Sequence, residues 1–80
     1  MNKKELLERF ILDEIMLAES GATIDPDESL ISNGVLDSLG LLRLIAFVEE
    51  QFGIEVDDGD VIPDNFQSLN VMEKFLAGKN

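Results

Sequence analysis

Between Asp37 and Gly53 the chain reads as one helix, and this stretch limits the possible folds more than any other. At 100° per residue, Leu41, Leu44, Ile45, Val48 and Phe52 form a single apolar stripe that must be buried. Asp37 or Ser38 can accept a hydrogen bond from the free amides of the first turn, and Gly53 marks the end. A second apolar strip, Leu39, Leu42 and Ala46, lies on a flank with Glu49 and Glu50 beside it. Phe47 points away from both strips.

Two further segments share the helical period. From about Lys3 to Ala18, Leu7, Phe10, Ile11 and Ile15 fall on one face. Glu14 lies inside that apolar arc, near the end that reaches solvent, while Leu12 and Met16 lie outside it. Gly21 stands where a helix C-terminus often places a glycine. The last helix is expected after Ser68, a good N-cap, with Leu69, Met72, Phe75 and Leu76 buried and an end near Gly78.

Between the first two helices runs a long connection, about Ser20 to Asp37, of a length that is often functional. Its turn formers (Asp25-Pro26-Asp27, Ser32-Asn33-Gly34) alternate with isolated apolar residues: Ile24, Leu30, Ile31, Val35 and Leu36. These predict a loop pinned onto the core, with a turn of helix at Ser29 to Ser32. Residues 54–67 read as irregular and as the most mobile ordered part, with one helical turn at Asp58 to Ile62. The expected fold is all-α: one domain over residues 1–80, a small three-to-four-helix bundle with a long loop between its first and second helices.

Composition excludes more than it selects. At 80 residues the core is thin and leaves little room for a deep catalytic cleft. With no Cys and no His, the chain lacks a disulfide, a thiolate, the commonest general base and the commonest metal ligand. Its 17 Asp and Glu against 6 Lys and Arg give a net charge of −11. Such a field repels nucleic acid and anionic membranes and favours basic protein surfaces. The N-terminus lacks the apolar run of a signal peptide, so a cytoplasmic, monomeric protein without membrane insertion is expected.

One residue stands apart chemically. Ser38 ends the long loop and begins the second helix, where it is exposed and where amides and helix dipole favour a nearby phosphate. A serine hydroxyl needs a base to become a nucleophile, and this chain has only carboxylates, so any activation must come from a partner enzyme. On position alone, Asp37 and Ser38 would be helix caps and nothing more.

The surrounding residues change that reading. Asp37-Ser38-Leu39, followed by an apolar helix and the block Val48-Glu49-Glu50-Gln51-Phe52-Gly53-Ile54-Glu55-Val56, resembles the acyl carrier protein family. Asp27-Glu28-Ser29-Leu30 ahead of it, and Val61-Ile62-Pro63-Asp64-Asn65-Phe66 behind it, which with Ser68 and the last helix is similar to the family's third-helix region, extend the resemblance over nearly the whole chain. The resemblance implies that Ser38 receives 4′-phosphopantetheine from coenzyme A through a magnesium-dependent phosphopantetheinyl transferase, with Asp37 supporting that step. The arm's thiol then holds an acyl or aminoacyl group as a thioester; the chain is a carrier and not an enzyme. It further implies a loading ligase and downstream acyl-processing enzymes as partners, docking on Leu39, Leu42, Arg43, Ala46, Glu49 and Glu50.

Within the family, Val35 and Leu36 separate Gly34 from Asp37-Ser38, where the fatty-acid type has one residue. Gly-Val-Leu-Asp-Ser-Leu is similar to D-alanyl and other specialised freestanding aminoacyl carriers. Arg43 sits where fatty-acid carriers often have an acidic residue. Phe47 is bulkier than usual; it is expected to pack under the third-helix region, with contact to a dedicated partner as the alternative. Two other readings compete: an unmodified acidic interaction domain that binds basic proteins, and a divalent-metal sensor. The second is weak, because in Asp25-Pro26-Asp27-Glu28-Ser29 a calcium loop's sixth and twelfth positions fall on Leu30 and Leu36. Asp57-Asp58-Gly59-Asp60 reads as a solvated turn.

Overall fold

The computed structural model describes residues 2–19 and 21–79. Helix α1 is Lys3–Phe10 and continues directly into a π-helical turn, Ile11–Ile15. Helix α2 is Ser38–Phe52, a 3₁₀ turn covers Asp58–Asp60, α3 is Pro63–Phe66 and α4 is Leu69–Ala77. There is no strand among the described residues. The helices enclose one core in which α1 packs on α2 and α4, and α3 packs on α4.

The first helix departs from its sequence reading in an instructive way. Asn2 caps it, its side chain accepting from the Glu5 amide at 2.8 Å, and Leu7 is fully buried. From Ile11 the turn widens, and the Met16 amide reaches back to the Ile11 carbonyl at 2.8 Å. The wide turn carries one extra residue, so successive side chains advance by less than 100°. Ile11 and Leu12 therefore both face the core, and Glu14 reaches solvent. An ideal wheel put Leu12 outside the arc; the π turn corrects that.

The helix also ends before Ala18. Leu17 takes a left-handed conformation, φ 52°, and the Ala18 amide closes back onto the Leu12 carbonyl at 2.8 Å. Leu17 thus holds the capping place expected of Gly21, which instead serves a later turn at φ 90°. A leucine in that region is strained by its Cβ. Its side chain is 78% exposed, so little burial is lost on truncation. Leu17→Gly is expected to raise stability by about 0.5–1 kcal/mol, read as a higher urea midpoint at an unchanged slope.

The long connection is pinned as expected, its start at Ser20 lying outside the described residues. Ile24, Leu30 and Leu36 are buried. The Leu30 amide donates to the Gln67 carbonyl at 2.7 Å, and the Ile24 amide to the Glu8 carboxylate at 2.8 Å. Asn70 on α4 is the main tie. Its backbone amide donates to the Pro26 carbonyl at 3.1 Å, its side-chain nitrogen to Asp27 at 2.7 Å, and its side-chain oxygen accepts from Lys4 at 2.9 Å. The helical turn expected at Ser29 to Ser32 is a hydrogen-bonded turn over Leu30 to Gly34, in which the Asn33 amide donates to the Ser29 carbonyl at 3.1 Å and the Gly34 amide to the Ile31 carbonyl at 3.2 Å. Gly34 at φ 83° lets the chain reverse toward α2.

Helix α2 buries Leu44, Ile45 and Val48, with Leu41 and Phe52 half-buried, and Gly53 at φ 64° ends it. Phe47 packs, but against α1 and not under the third-helix region. Its ring stacks on Phe10 at 4.3 Å and meets Phe52 edge-on at 6.0 Å.

Residues 54–67 hold more helix than their irregular reading suggested. Pro63 starts α3, where its missing N–H costs nothing, and Phe66 is buried with its ring edge-on to Phe75 at 5.4 Å. The Ser68 hydroxyl accepts from the Val71 amide at 3.2 Å to start α4, whose Leu69, Met72 and Leu76 fill the core.

Lys79 ties the 3₁₀ turn to the end of α4. It pairs with Asp60, lies 3.9 Å from Asp57, and sits over the Phe75 ring at 5.7 Å. The hydrogen bond from Lys79 holds the Asp60 carboxyl below its ordinary 3.8, and the same bond raises Lys79 above 10.5. A depressed acid stabilises above pH 3.8 and loses that contribution as pH falls through its folded value. A raised base stabilises below pH 10.5 and loses it as pH rises through its folded value. The clasp therefore opens only as pH falls through the folded Asp60 value, below 3.8, or rises through the folded Lys79 value, above 10.5. Lys79→Ala is expected to move the Asp60 titration, followed by carboxyl carbon NMR, back toward 3.8 and to speed amide exchange at residues 57–61.

Candidate functional site at the start of the second helix

Ser38 is exposed at the first position of α2. The cap is Asp37, whose Oδ1 accepts from the Gly40 amide at 2.7 Å, and the Asp37 carbonyl accepts from the Leu41 amide at 2.8 Å. With Asp37 as the cap, the Ser38 hydroxyl makes no hydrogen bond among the described residues. The amides of Ser38 and Leu39 find no acceptor among the described residues. A helix N-terminus with two free amides and an exposed hydroxyl suits a phosphate ester.

The expected docking residues share the exposed side of α2. Leu39 is 68% and Leu42 62% exposed, and Arg43, Ala46, Glu49 and Glu50 are exposed beside them. Large apolar side chains this open are informative when they cluster. Glu49 also acts within the fold, because its carboxylate accepts from the Val56 amide at 3.0 Å and so holds the segment after α2.

Sequence reasoning missed what lies beside the serine. A cleft of about 450 Å³ runs along Asp37, Leu39 and Gly40, with Val35 from the loop and Ile15 and Met16 from the π turn as its other wall. Gly40 makes this close approach possible. A Cβ there would meet the Asp37 carboxylate at 3.2 Å, Ile15 Cγ2 at 3.6 Å and the Val35 carbonyl at 3.7 Å. The available signal was a glycine inside a strongly apolar helix, which costs about 1 kcal/mol against alanine and so needs a packing reason.

The acidic clusters that suggested a metal loop have other partners here. Asp25 accepts from the Asp27 amide at 2.9 Å in a local turn, and Asp57 and Asp60 face Lys79. No helix among the described residues is long and apolar enough to cross a membrane.

The family model described as the phosphopantetheine attachment site matches residues 7–76, so the chain belongs to that family, whose members bear the prosthetic group covalently. Among curated relatives, the acyl carrier protein of Nitratidesulfovibrio vulgaris (strain Miyazaki F) is 38% identical over 60 residues, covering 75% of this chain and 76% of the relative. The acyl carrier protein of Solidesulfovibrio magneticus is 35% identical over 60 residues, covering 75% of this chain and 74% of its own. Of solved structures, KstB-PCP in its apo form is similar at a TM-score of 0.79 and 36% identity, with 98% of this chain and 86% of that one covered.

Proposed function

We propose that the Ser38 hydroxyl is the attachment point and that the chain carries acyl or aminoacyl groups as thioesters on its arm. The observation that carries this reading is the free hydroxyl at the first position of α2, next to two unsatisfied amides, within the matched residues. In the transfer, Ser38 Oγ forms a bond to the phosphorus of coenzyme A's pantetheine phosphate. The pyrophosphate bond breaks, adenosine 3′,5′-bisphosphate leaves, and the serine proton passes to a base on the transferase. Asp37 fixes the helix start so that Ser38 faces outward. Once attached, the phosphopantetheine supplies the thiol that bears the cargo.

Docking of the transferase, a loading ligase and later acyl-processing enzymes is assigned to Leu39, Leu42 and Ala46, with Arg43, Glu49 and Glu50 around them. The apolar strip supplies buried area, and the net charge of −11 steers basic partners toward it. The Gly34-Val35-Leu36-Asp37-Ser38 spacing supports a specialised type of carrier, working in the cytoplasm where coenzyme A is available.

Incubation with coenzyme A, magnesium and a broad-specificity transferase tests the attachment. Wild type is expected to gain the mass of one phosphopantetheine and Ser38→Ala none. An unmodified wild type, or an equal gain in the variant, rejects the assignment. A panel of adenylating ligases offered the holo form then separates aminoacyl from fatty acyl cargo.

A further inference from the structure

The loop ahead of Ser38 holds one peptide bond whose chemistry the attachment of an arm does not use. Asn33 is followed by Gly34, whereas Asn2, Asn65 and Asn70 precede Lys3, Phe66 and Val71. An asparagine loses its side-chain amide when the backbone nitrogen of the next residue attacks its Cγ, and a following glycine leaves that nitrogen unhindered. Asn33 and Gly34 are both exposed, and nothing lies within 4 Å of where a Cβ at Gly34 would stand. The other three side chains are committed to the fold. Asn2 caps the first helix, Asn65 donates to the Asp60 carbonyl at 2.8 Å, and Asn70 bonds both Asp27 and Lys4.

The contacts of Asn33 favour this attack. Its Oδ1 accepts from the Val35 amide at 3.0 Å, a donor aimed at the oxygen on which attack places negative charge. Its Nδ2 donates to the Glu28 carboxylate. The bond that opposes attack runs from the Gly34 amide to the Ile31 carbonyl; it is long, 3.2 Å, and lies in an exposed turn. That turn is tied at both ends. Leu30 and Leu36 are buried, and the Leu36 amide donates to the Leu30 carbonyl at 2.9 Å. A change of backbone length between them has to be absorbed within residues 31–35.

We propose that Asn33 is a self-modifying site, converted to isoaspartate and aspartate as the protein ages, and that the conversion loosens the loop leading to Ser38. The Gly34 nitrogen gives its proton to solvent and forms a bond to Asn33 Cγ. The Cγ–Nδ2 bond breaks, and the departing nitrogen takes up a proton from water and leaves as ammonia. Water then opens the five-membered imide. Cleavage at Cγ gives aspartate; cleavage at the Asn33 backbone carbonyl gives isoaspartate, whose chain runs on through Cβ and Cγ. Nothing is oxidised or reduced. Either product loses the amide that held Glu28 and adds a carboxylate to the same turn, so an attraction gives way to like charges. Isoaspartate also adds a backbone carbon between two buried anchors. Gly34 lines the cleft beside Ser38, so these changes fall on the rim of that site. The reaction needs no prosthetic group, so its failure and failure of the attachment assignment are separate results.

Ageing the full chain in warm neutral buffer tests it, beside a synthetic peptide of residues 28–38. Intact mass is expected to show one amide converted to an acid per chain, with fragment ions placing it on Asn33 and isoaspartate among the products. The folded chain is expected to react within about a hundredfold of the peptide rate, because opening an exposed turn costs little. Asn33→Ser is expected to gain nothing over the same time. Asn33→Asp carries the new charge from the start. It is expected to speed amide exchange at residues 31–35 at least about threefold and to leave exchange in α4 unchanged. A first conversion at Asn2, Asn65 or Asn70, a folded chain slower than the peptide by more than about a hundredfold, or wild-type exchange in Asn33→Asp would overturn the proposal.

Discussion

Phe66→Ala is expected to leave a large share of molecules unfolded at 37 °C. Phe66 is 1% exposed and is the side chain by which α3 is held into the core, with its ring 5.4 Å from Phe75. Removing a buried phenylalanine costs about 3–5 kcal/mol, from lost transfer energy and the cavity left behind. A domain of this size has roughly 4–12 kcal/mol in total, at the usual stability per residue. The melting temperature should therefore fall by more than about 10 °C in calorimetry or circular dichroism. Leu42→Ala is the contrast. Leu42 is 62% exposed, and its truncation should change stability by under about 0.5 kcal/mol while weakening partner binding. Equal thermal shifts for the two variants would mean that the bundle is not packed as described.

Gly40→Val is expected to damage both stability and modification. A Cβ at Gly40 already stands 3.2 Å from the Asp37 carboxylate, and valine's two further methyl groups press on Ile15 and the Val35 carbonyl. Displacing the cap costs about 1 kcal/mol, and crowding of this kind adds about 1–3 kcal/mol. Because Asp37 also orients the first turn, Ser38 loses its outward setting. The kcat/KM of the transferase on this variant should fall at least about tenfold. Gly40→Ala should be milder. Its Cβ meets the same carboxylate, but alanine recovers about 1 kcal/mol of helix propensity. A valine variant with wild-type melting and wild-type modification would contradict the role given to this approach.

How much of this was legible in the sequence differs from element to element. Helix α2 was readable from end to end, because its stripe, its Asp37 cap and its Gly53 stop agree. The same holds for Ser68 and α4. The first helix was readable in position but not in register. A wheel assumes 3.6 residues per turn, and nothing in Ile11-Leu12-Asp13-Glu14-Ile15 announces a wider one. The left-handed Leu17 was hidden for a related reason: the sequence offered Gly21, a better capping residue, a few positions later. Helix α3 has four residues, too few to display a period, and it was readable only through the resemblance of the stretch from Val61 to Phe66 to the family's third-helix region. Phe47 was read from one helix alone, whereas its neighbour is decided by how α1 crosses α2.

The site divides in the same way. Ser38, Asp37 and the exposed strip follow from local sequence, since a helix start and a helix face are local properties. The cleft beside them is not local. It is built from the π turn, the loop end at Val35 and the gap that Gly40 leaves, segments that meet only after folding. Asn70 joining Asp27 to Lys4, and Lys79 joining α4 to the 3₁₀ turn, are long-range ties of the same kind.

The most direct measurement is tandem mass spectrometry of the protein isolated from its own cells. The peptide containing Asp37, Ser38 and Leu39 is expected to be heavier by one phosphopantetheine, with fragment ions fixing the added mass on the serine. That peptide found only at its bare mass, across growth conditions in which the protein is present, would contradict the account at its root.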